Sequence, residues 1–284
     1  MSQQWLRRPW VSFLVFVVAM VIIFTIKEAC KSAAVAGAKT GENSVLPLDM
    51  AENSVDDMYD GCKEDMKKRV TKDLENEKNK DNNFKAVWDR SENTHTPLGE
   101  WFNKVLKRKQ IVAIRTYTDE TDVYSKFNAA VRTQGLGYKT TFGYHALHFL
   151  LTTAIQDISA SDKKQCLTVY RRVNEYFRQD VENTLIRFGS FTSASQGGYS
   201  NKDIFGEKSC FEIVTCMGAD ISPYSTFPNE AEVLIPPYEV FNVVEIKKRS
   251  TMQRKLPCEV VYTLESTKNY VSKLNCALFT ANDL

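Results

Sequence analysis

The chain is predicted to fold as an α+β protein, and three observations carry that prediction. The first half places apolar residues at helical spacing. The second half breaks into short runs rich in β-branched and aromatic residues, separated by Gly, Asn, Pro and Ser. Helices that come first and strands that come later argue for segregated layers, not alternating βαβ units. With 284 residues, 43% hydrophobic and 25% charged, the chain is long and apolar enough to bury a sizeable core.

The N-terminus is set apart. Arg7 and Arg8 precede an uncharged apolar run over residues 10–26. A signal-peptide core is about 7–15 residues and a spanning helix about 20, and this run lies between them. The reading favours an uncleaved type II membrane anchor, with residues 1–9 cytoplasmic and everything after Lys27 translocated. The alternative is a cleaved signal peptide and secretion. Residues 27–48 read as a stalk and residues 49–284 as one folded domain.

Asp56 to Lys80 carries Met58, Tyr59, Cys62, Met66, Val70 and Leu74 on one face, the pattern of an amphipathic helix. Trp88 is a core anchor. Leu98 to Leu106 reads as a further helix, with Trp101, Phe102 and Val105 inward. Ile111 to Ile114 reads as a strand running toward Tyr117. Val123 to Val131 and Tyr144 to Ile158 read as helices around a loop that contains Gly135 and Gly137. Strands are expected at Leu167 to Tyr170, Phe188 to Phe191, Phe211 to Cys216, Val233 to Ile235, Val240 to Ile246 and Val260 to Leu264.

Composition excludes some functions. A formal net charge of +2, with no basic stripe, gives no ground for a nucleic-acid partner. Lys67-Lys68-Arg69 and Lys247-Lys248-Arg249 read as solvated faces or turns. Gly197-Gly198 is a loop, since no helix pattern opens there as a dinucleotide fingerprint requires. No metal site is read. His145 and His148 lack a third ligand at matching spacing, and a structural role is the better reading for both. Cys30 adjoins the apolar run. The other six cysteines, Cys62, Cys166, Cys210, Cys216, Cys258 and Cys276, form an even set suited to three disulfides in an oxidising compartment.

The stretch Phe227 to Pro237 puts two carboxylates one residue apart at the mouth of an apolar run. If Glu230 to Ile235 is extended, Glu230 and Glu232 point to the same side. Carboxylates that close repel, one holds its proton more tightly, and the two can divide acid–base and charge-stabilising work.

Three pieces stand in chain order: Tyr170-Arg171, then Phe191-Thr192-Ser193-Ala194-Ser195, then Glu230-Ala231-Glu232. This Arg, S-x-S, E-x-E order resembles the vertebrate ecto-ADP-ribosyltransferases that modify arginine. Phe127 to Thr133, Leu147 to Leu151, Thr215 to Ala219 and Glu232 to Pro237 resemble that family too. The resemblance implies a helical N-terminal part on a two-sheet β core, with NAD in the cleft between the sheets. It implies an NAD(P)+–protein-arginine ADP-ribosyltransferase, with NAD as substrate, no permanently bound cofactor and arginine-containing proteins as acceptors. The alternatives are an NAD glycohydrolase and an inactive disulfide-bonded recognition protein.

The resemblance also implies roles. Arg171 would bind a phosphate of NAD. Ser193 would hydrogen-bond near the nicotinamide ribose and help place Glu232. Glu232 would hold the ribose and stabilise the oxocarbenium-like state. Glu230 would orient and help deprotonate the arginine, and Phe227 would face the acceptor protein. The family's disulfides would join Cys62 to Cys276 and Cys166 to Cys216, which leaves Cys210 and Cys258 for an extra bridge. Family members commonly carry Gly after the Arg. Arg172 stands there instead and is expected to add charge beside the phosphate site. The short, polar end, residues 277–284, reads against a GPI signal. The chain is therefore expected on the extracellular or luminal side, held by its N-terminal segment and not by a lipid.

Overall fold

The computed structural model describes residues 45–94, 105–162, 166–251 and 254–279. After a short strand β1 (Val45–Leu46), the helical layer consists of α1 (Lys63–Lys80), α2 (Asn82–Thr94), α3 (Arg108–Tyr117), α4 (Val123–Thr133) and α5 (His145–Ser161). The strands follow: β2 (Leu167–Val173), β3 (Tyr176–Phe177), β4 (Leu185–Ile186), β5 (Thr192–Ser195), β6 (Ser209–Thr215), β7 (Ala219–Asp220), β8 (Glu232–Ile235), β9 (Glu239–Lys248) and β10 (Val260–Tyr270). A one-turn helix α6 (Lys202–Phe205) interrupts them. The expected α+β order holds.

α1 buries Met66, Val70, Leu74 and Glu77 on one stripe, with acids in its first turn and lysines in its last, as its dipole favours. It begins at Lys63, later than the spacing suggested. Tyr59 has a positive φ of 59°, so Asp56 to Gly61 is a turn and not a first helical turn. Trp88 is buried as expected. α5 is apolar nearly all round and buried, and its N-cap, Tyr144, supplies no side-chain cap. Glu77 of α1 fills that role, accepting from the amides of Ala146 at 2.5 Å and Leu147 at 3.2 Å.

Two expected strands are corrected. Ile111 to Ile114 lies in α3, not in a strand. All four residues are buried there, and a short run that is apolar all round has no readable period. Phe188 to Phe191 precedes β5 and is not itself a strand; Gly189, at a positive φ of 67°, turns the chain there. The helix expected over Leu98 to Leu106 lies almost wholly outside the described residues, as does the apolar run 10–26. Among the described residues no helix is long and apolar enough to cross a membrane. Strand β1 pairs with β3, and Leu48 is buried, so the ordered part reaches a few residues ahead of Asp49.

The main sheet has eight strands in the order β4-β9-β10-β6-β2-β5-β8-β7. The two expected sheets are continuous in it, joined where β2 meets β5 through the single pairing Tyr170 with Ser195. The sheet is weakly laddered at that seam, and the Arg and S-x-S motifs flank it. Apolar residues fill both faces. Leu234 faces the helical core, whereas Val233 and Ile235 face a second core with Val169, Phe211, Ile213 and Tyr262. Disulfides join Cys62 to Cys276, Cys166 to Cys216 and Cys210 to Cys258. Cys30 lies outside the described residues.

Candidate active site

Arg171, on β2, shares its strand parity with buried Val169. Its Nη1 donates across the seam to the Ser193 carbonyl at 2.7 Å. Burial weighs against its charge, but the nearby Tyr124 and Tyr117 outweigh that, and its pKa is raised. A guanidinium has five N–H donors in a planar fork, so this anchorage leaves donors for a bidentate oxyanion.

Ser193 and Ser195 sit on β5, paired with Leu234 and Glu232 of β8. The parity of β8 that turns Leu234 to the helical core turns Glu232 the same way. Glu232 is buried, with 8% of its surface exposed. Burial raises its pKa, and Glu230 adds to the rise. Ser193, Ser225 and Arg171 oppose it. Ser225 Oγ donates to Glu232 Oε2 at 3.3 Å and accepts from the Phe227 amide at 3.1 Å. The Ser193 hydroxyl is buried between Glu232 and Tyr117 and lowers the pKa of both by hydrogen bonding, through contacts looser than a well-aligned bond.

The expected strand through Glu230 is corrected. Pro228–Glu230 is a 3-10 turn, Ala231 takes a left-handed conformation at φ 48°, and β8 begins only at Glu232. Glu230 is exposed. The two acids are neighbours through a turn, not through strand alternation. Hydrogen bonds hold that turn against the preference of an L-residue for negative φ. Ser195 Oγ donates to the Glu230 carbonyl at 2.8 Å, and the Gln196 amide donates to the Ala231 carbonyl at 3.0 Å. Phe227 is half-buried, and its carbonyl accepts from the Glu230 amide at 3.1 Å. The whole segment is tied to the end of α3. There Thr226 Oγ1 donates to the Arg115 carbonyl at 3.2 Å, and the Thr226 amide donates to Thr118 Oγ1 at 3.0 Å.

Sequence reading missed the helical wall of the cleft. Tyr117 is buried; its hydroxyl donates to the Phe191 carbonyl at 3.2 Å and accepts from Asn128 Nδ2 at 3.1 Å. Arg132 donates from Nη2 to Ser190 Oγ at 3.0 Å. Its pKa is lowered by desolvation and then by the like charge of Arg171. Much of the Arg132 side chain is exposed. Arg132 and Arg171 therefore lie within electrostatic reach of each other. The signal available in sequence was Tyr124, Asn128 and Arg132 at i, i+4, i+8 on one helix face.

Arg172 is also corrected. Its neighbour Arg171 shares parity with Val169, and Arg172 leaves by the opposite face of β2, away from the cleft. There it is buried against the Cys210–Cys258 bridge. His148 is structural, as read: its Nδ1 meets the Tyr59 hydroxyl at 2.8 Å and its Nε2 the Val55 carbonyl at 3.1 Å.

A helical layer on a seamed mixed sheet, with a guanidinium anchored at the seam within electrostatic reach of a buried carboxylate, is the architecture of a mono-ADP-ribosyltransferase. The crystal structure of the eukaryotic mono-ADP-ribosyltransferase ART2.2 matches with a TM-score of 0.63 and 28% identity, covering 83% of this chain and 100% of that one. A variant of the same enzyme in complex with NAD matches at 0.61, 29% identity, 83% of this chain and 100% of that one.

A chicken (Gallus gallus) erythroblast NAD(P)(+)–arginine ADP-ribosyltransferase is 33% identical over 74% of this chain and 71% of its own. A mouse (Mus musculus) GPI-linked NAD(P)(+)–arginine ADP-ribosyltransferase 1 is 36% identical over 71% of this chain and 66% of its own. The NAD:arginine ADP-ribosyltransferase family profile matches residues 48–257. The chain belongs to that family, whose reaction moves ADP-ribose from NAD to an arginine guanidinium and releases nicotinamide. NAD is thus a substrate and not a resident cofactor.

The relatives also correct the localisation. Some are named GPI-linked and one is named a T-cell ecto-ADP-ribosyltransferase. These overturn the expected type II anchor without a lipid, while the extracellular side fits. The polar composition of residues 277–284 describes only those residues and is no ground for excluding a lipid anchor.

Proposed function

We propose that Arg171, Ser193 and Glu232 hold NAD in the cleft, and that Glu230 with Phe227 receives the arginine. The observation that carries this reading is the buried Glu232 carboxylate, whose charge the Ser193 and Ser225 hydroxyls favour, with Arg171 anchored across the seam.

Arg171 forks a phosphate of NAD, and Arg132 adds a second cation beside it. Glu232 accepts a ribose hydroxyl and stabilises positive charge as the glycosidic bond to nicotinamide breaks. Its charge gains strength from a site that excludes water. Ser193 supplies the neighbouring hydrogen bond. Glu230, at the exposed turn, faces the incoming protein, orients the guanidinium and takes its proton as the new bond forms. Phe227 offers its ring to the acceptor surface. The catalytic domain is 49–284 together with the packed β1 segment just before it, and the stalk is the part of 27–48 that precedes β1.

The experiment is an assay of NAD with an arginine analogue such as agmatine, following nicotinamide and the ADP-ribosylated adduct separately. Wild type makes both. Glu230→Gln is expected to keep nicotinamide release while adduct formation collapses, with water as the acceptor. If Glu230→Gln loses hydrolysis as fully as transfer, the assignment of the two acids is wrong.

A further inference from the structure

We propose that Tyr199 and Arg172 form a positioning pair for Glu230, and so set the balance between transfer to a guanidinium and loss to water. The proposal rests on Glu230 acting on the acceptor.

Arg172 is buried behind the sheet, where its Nη1 donates to the Gly206 carbonyl at 3.1 Å and the Pro257 carbonyl at 3.0 Å. The same nitrogen lies 3.5 Å from Cys258 Sγ. Cys258 is bridged to Cys210, and Cys210 stands opposite Arg172 in the β2–β6 register. Bridge, carbonyls and register therefore fix the guanidinium in one place. Its carbon lies 5.6 Å from the centroid of the Tyr199 ring, within cation–π range.

Tyr199 is held from two further directions. Its ring meets Tyr170 edge-on at 5.1 Å, and its hydroxyl donates to Glu212 Oε1 at 3.1 Å. Tyr170 and Arg172 belong to β2 and Glu212 to β6, so the side chain is pinned to the rigid centre of the sheet.

Tyr199 ends the loop that follows S-x-S, and that loop backs the turn carrying Glu230. The Gln196 amide donates to the Ala231 carbonyl, and the Gly197 amide donates to Ser195 Oγ, which itself holds the Glu230 carbonyl. A Cβ at Gly197 would lie 3.4 Å from Ser195 Oγ and 4.0 Å from Ala231 Cβ, so the loop passes within about one methyl group of the turn. Gly197 and Gly198, the latter at φ 101°, give this loop little stiffness of its own. Its firmness comes from its ends: β5 on one side and Tyr199 on the other.

The consequence falls unequally on the two acids. Glu232 lies within the β5–β8 ladder and needs no help from the loop. Glu230 lies outside every strand, on a turn held at the Glu230 carbonyl by Ser195, whose hydroxyl the Gly197 amide orients, and at the Ala231 carbonyl by Gln196 of the loop. Loosening Tyr199 therefore moves Glu230 and spares Glu232. A misplacement of about 1 Å at a reacting group can cost about 10²-fold in rate.

The test uses the full chain with NAD alone and with NAD plus agmatine. Tyr199→Ala is expected to lower the ratio of adduct to free ADP-ribose about tenfold and to raise the KM for agmatine. Nicotinamide release without acceptor stays within about twofold, because the NAD-side residues are untouched. Tyr199→Phe keeps both ring contacts and loses only the bond to Glu212. It shifts the ratio in the same direction by less, and thermal melting confirms that it is folded. Arg172→Met follows Tyr199→Ala. An unchanged ratio in both Tyr199 variants, or equal loss of both activities in both, overturns the positioning role. A wild type that cleaves NAD and makes no adduct overturns the acceptor reading itself, and this proposal with it.

Discussion

Ser195 and Glu230 are joined by a hydrogen bond, from the serine hydroxyl to the backbone carbonyl at 2.8 Å. The bond fastens the second serine of S-x-S to the first acid of E-x-E. Glu232 is thus set by strand β8 and Glu230 by this clasp. Ser195→Ala removes the clasp. The Glu230 carbonyl is at the surface, so water replaces the lost partner and stability falls by about 0.5–1.5 kcal/mol at most. Transfer to agmatine is expected to fall several-fold more than nicotinamide release. Parallel loss of both in a kinetic assay would count against the clasp.

In the proposed role Glu232 acts as an anion, and burial, with a smaller contribution from Glu230, raises its pKa above the ordinary carboxylate value of 4.5. The rate of NAD cleavage is therefore expected to climb with pH on the acid side, with a midpoint displaced above that value. Glu232→Gln keeps the shape and removes the charge. Cleavage should fall about 10²–10³-fold, and the acid limb should vanish with it. A pH–rate profile of nicotinamide release for both proteins decides the matter. An acid limb that survives in Glu232→Gln belongs to another group.

Two carboxyls outside the cleft link stability to pH. Burial pushes Asp57 up to about 6 and Glu77 up to about 8, against hydrogen bonds that pull both the other way. Each folded-state pKa is raised, so the folded protein keeps a proton that the unfolded chain releases. The contribution is full below the unfolded values near 4 and is lost as pH rises through 6 and then 8. Melting temperature is thus expected to decline between about pH 5 and 8. For Glu77 the ceiling is a few kcal/mol, at about 1.4 kcal/mol per unit. Glu77→Gln should flatten the upper part of this slope. It should also cost about 1–3 kcal/mol, because an amide caps the α5 amides less well. Calorimetry across that range reads both effects.

Cys62 and Cys276 are separated by 214 residues, and their bridge ties the start of α1 to the C-terminal segment. Loop-closure entropy grows slowly with length, and loss of a native bridge costs roughly 2–5 kcal/mol. Cys276→Ser should therefore lower the urea midpoint more than Cys258→Ser, whose bridge spans 48 residues. Thiol titration of the denatured, unreduced protein is expected to find none of the six bridged cysteines reactive. Equal midpoints for the two variants would argue that strain or local contacts outweigh chain entropy.

Sequence alone determined the order of helices before strands, the amphipathic face of α1, the even cysteine set and the Arg, S-x-S, E-x-E order. These are legible because periodicity reports which face of an element is buried, and because chemistry at a site restricts residue type. Tertiary structure decided the rest. Ile111 to Ile114 is apolar on every side, so only its packing among other helices makes it α3 and not a strand. Glu230 leaves the strand because Ser195, 35 residues away, holds its carbonyl. Arg172 neighbours Arg171 in the chain yet serves the opposite face, since strand parity separates them and the second guanidinium finds its partners at the Gly206 and Pro257 carbonyls and the Cys210–Cys258 bridge. Glu77 reads as one more surface acid of a charged helix until α5 presents two uncapped amides to it. In each case the deciding contact joins residues far apart in the chain, and local pattern carries no record of which distant group will arrive.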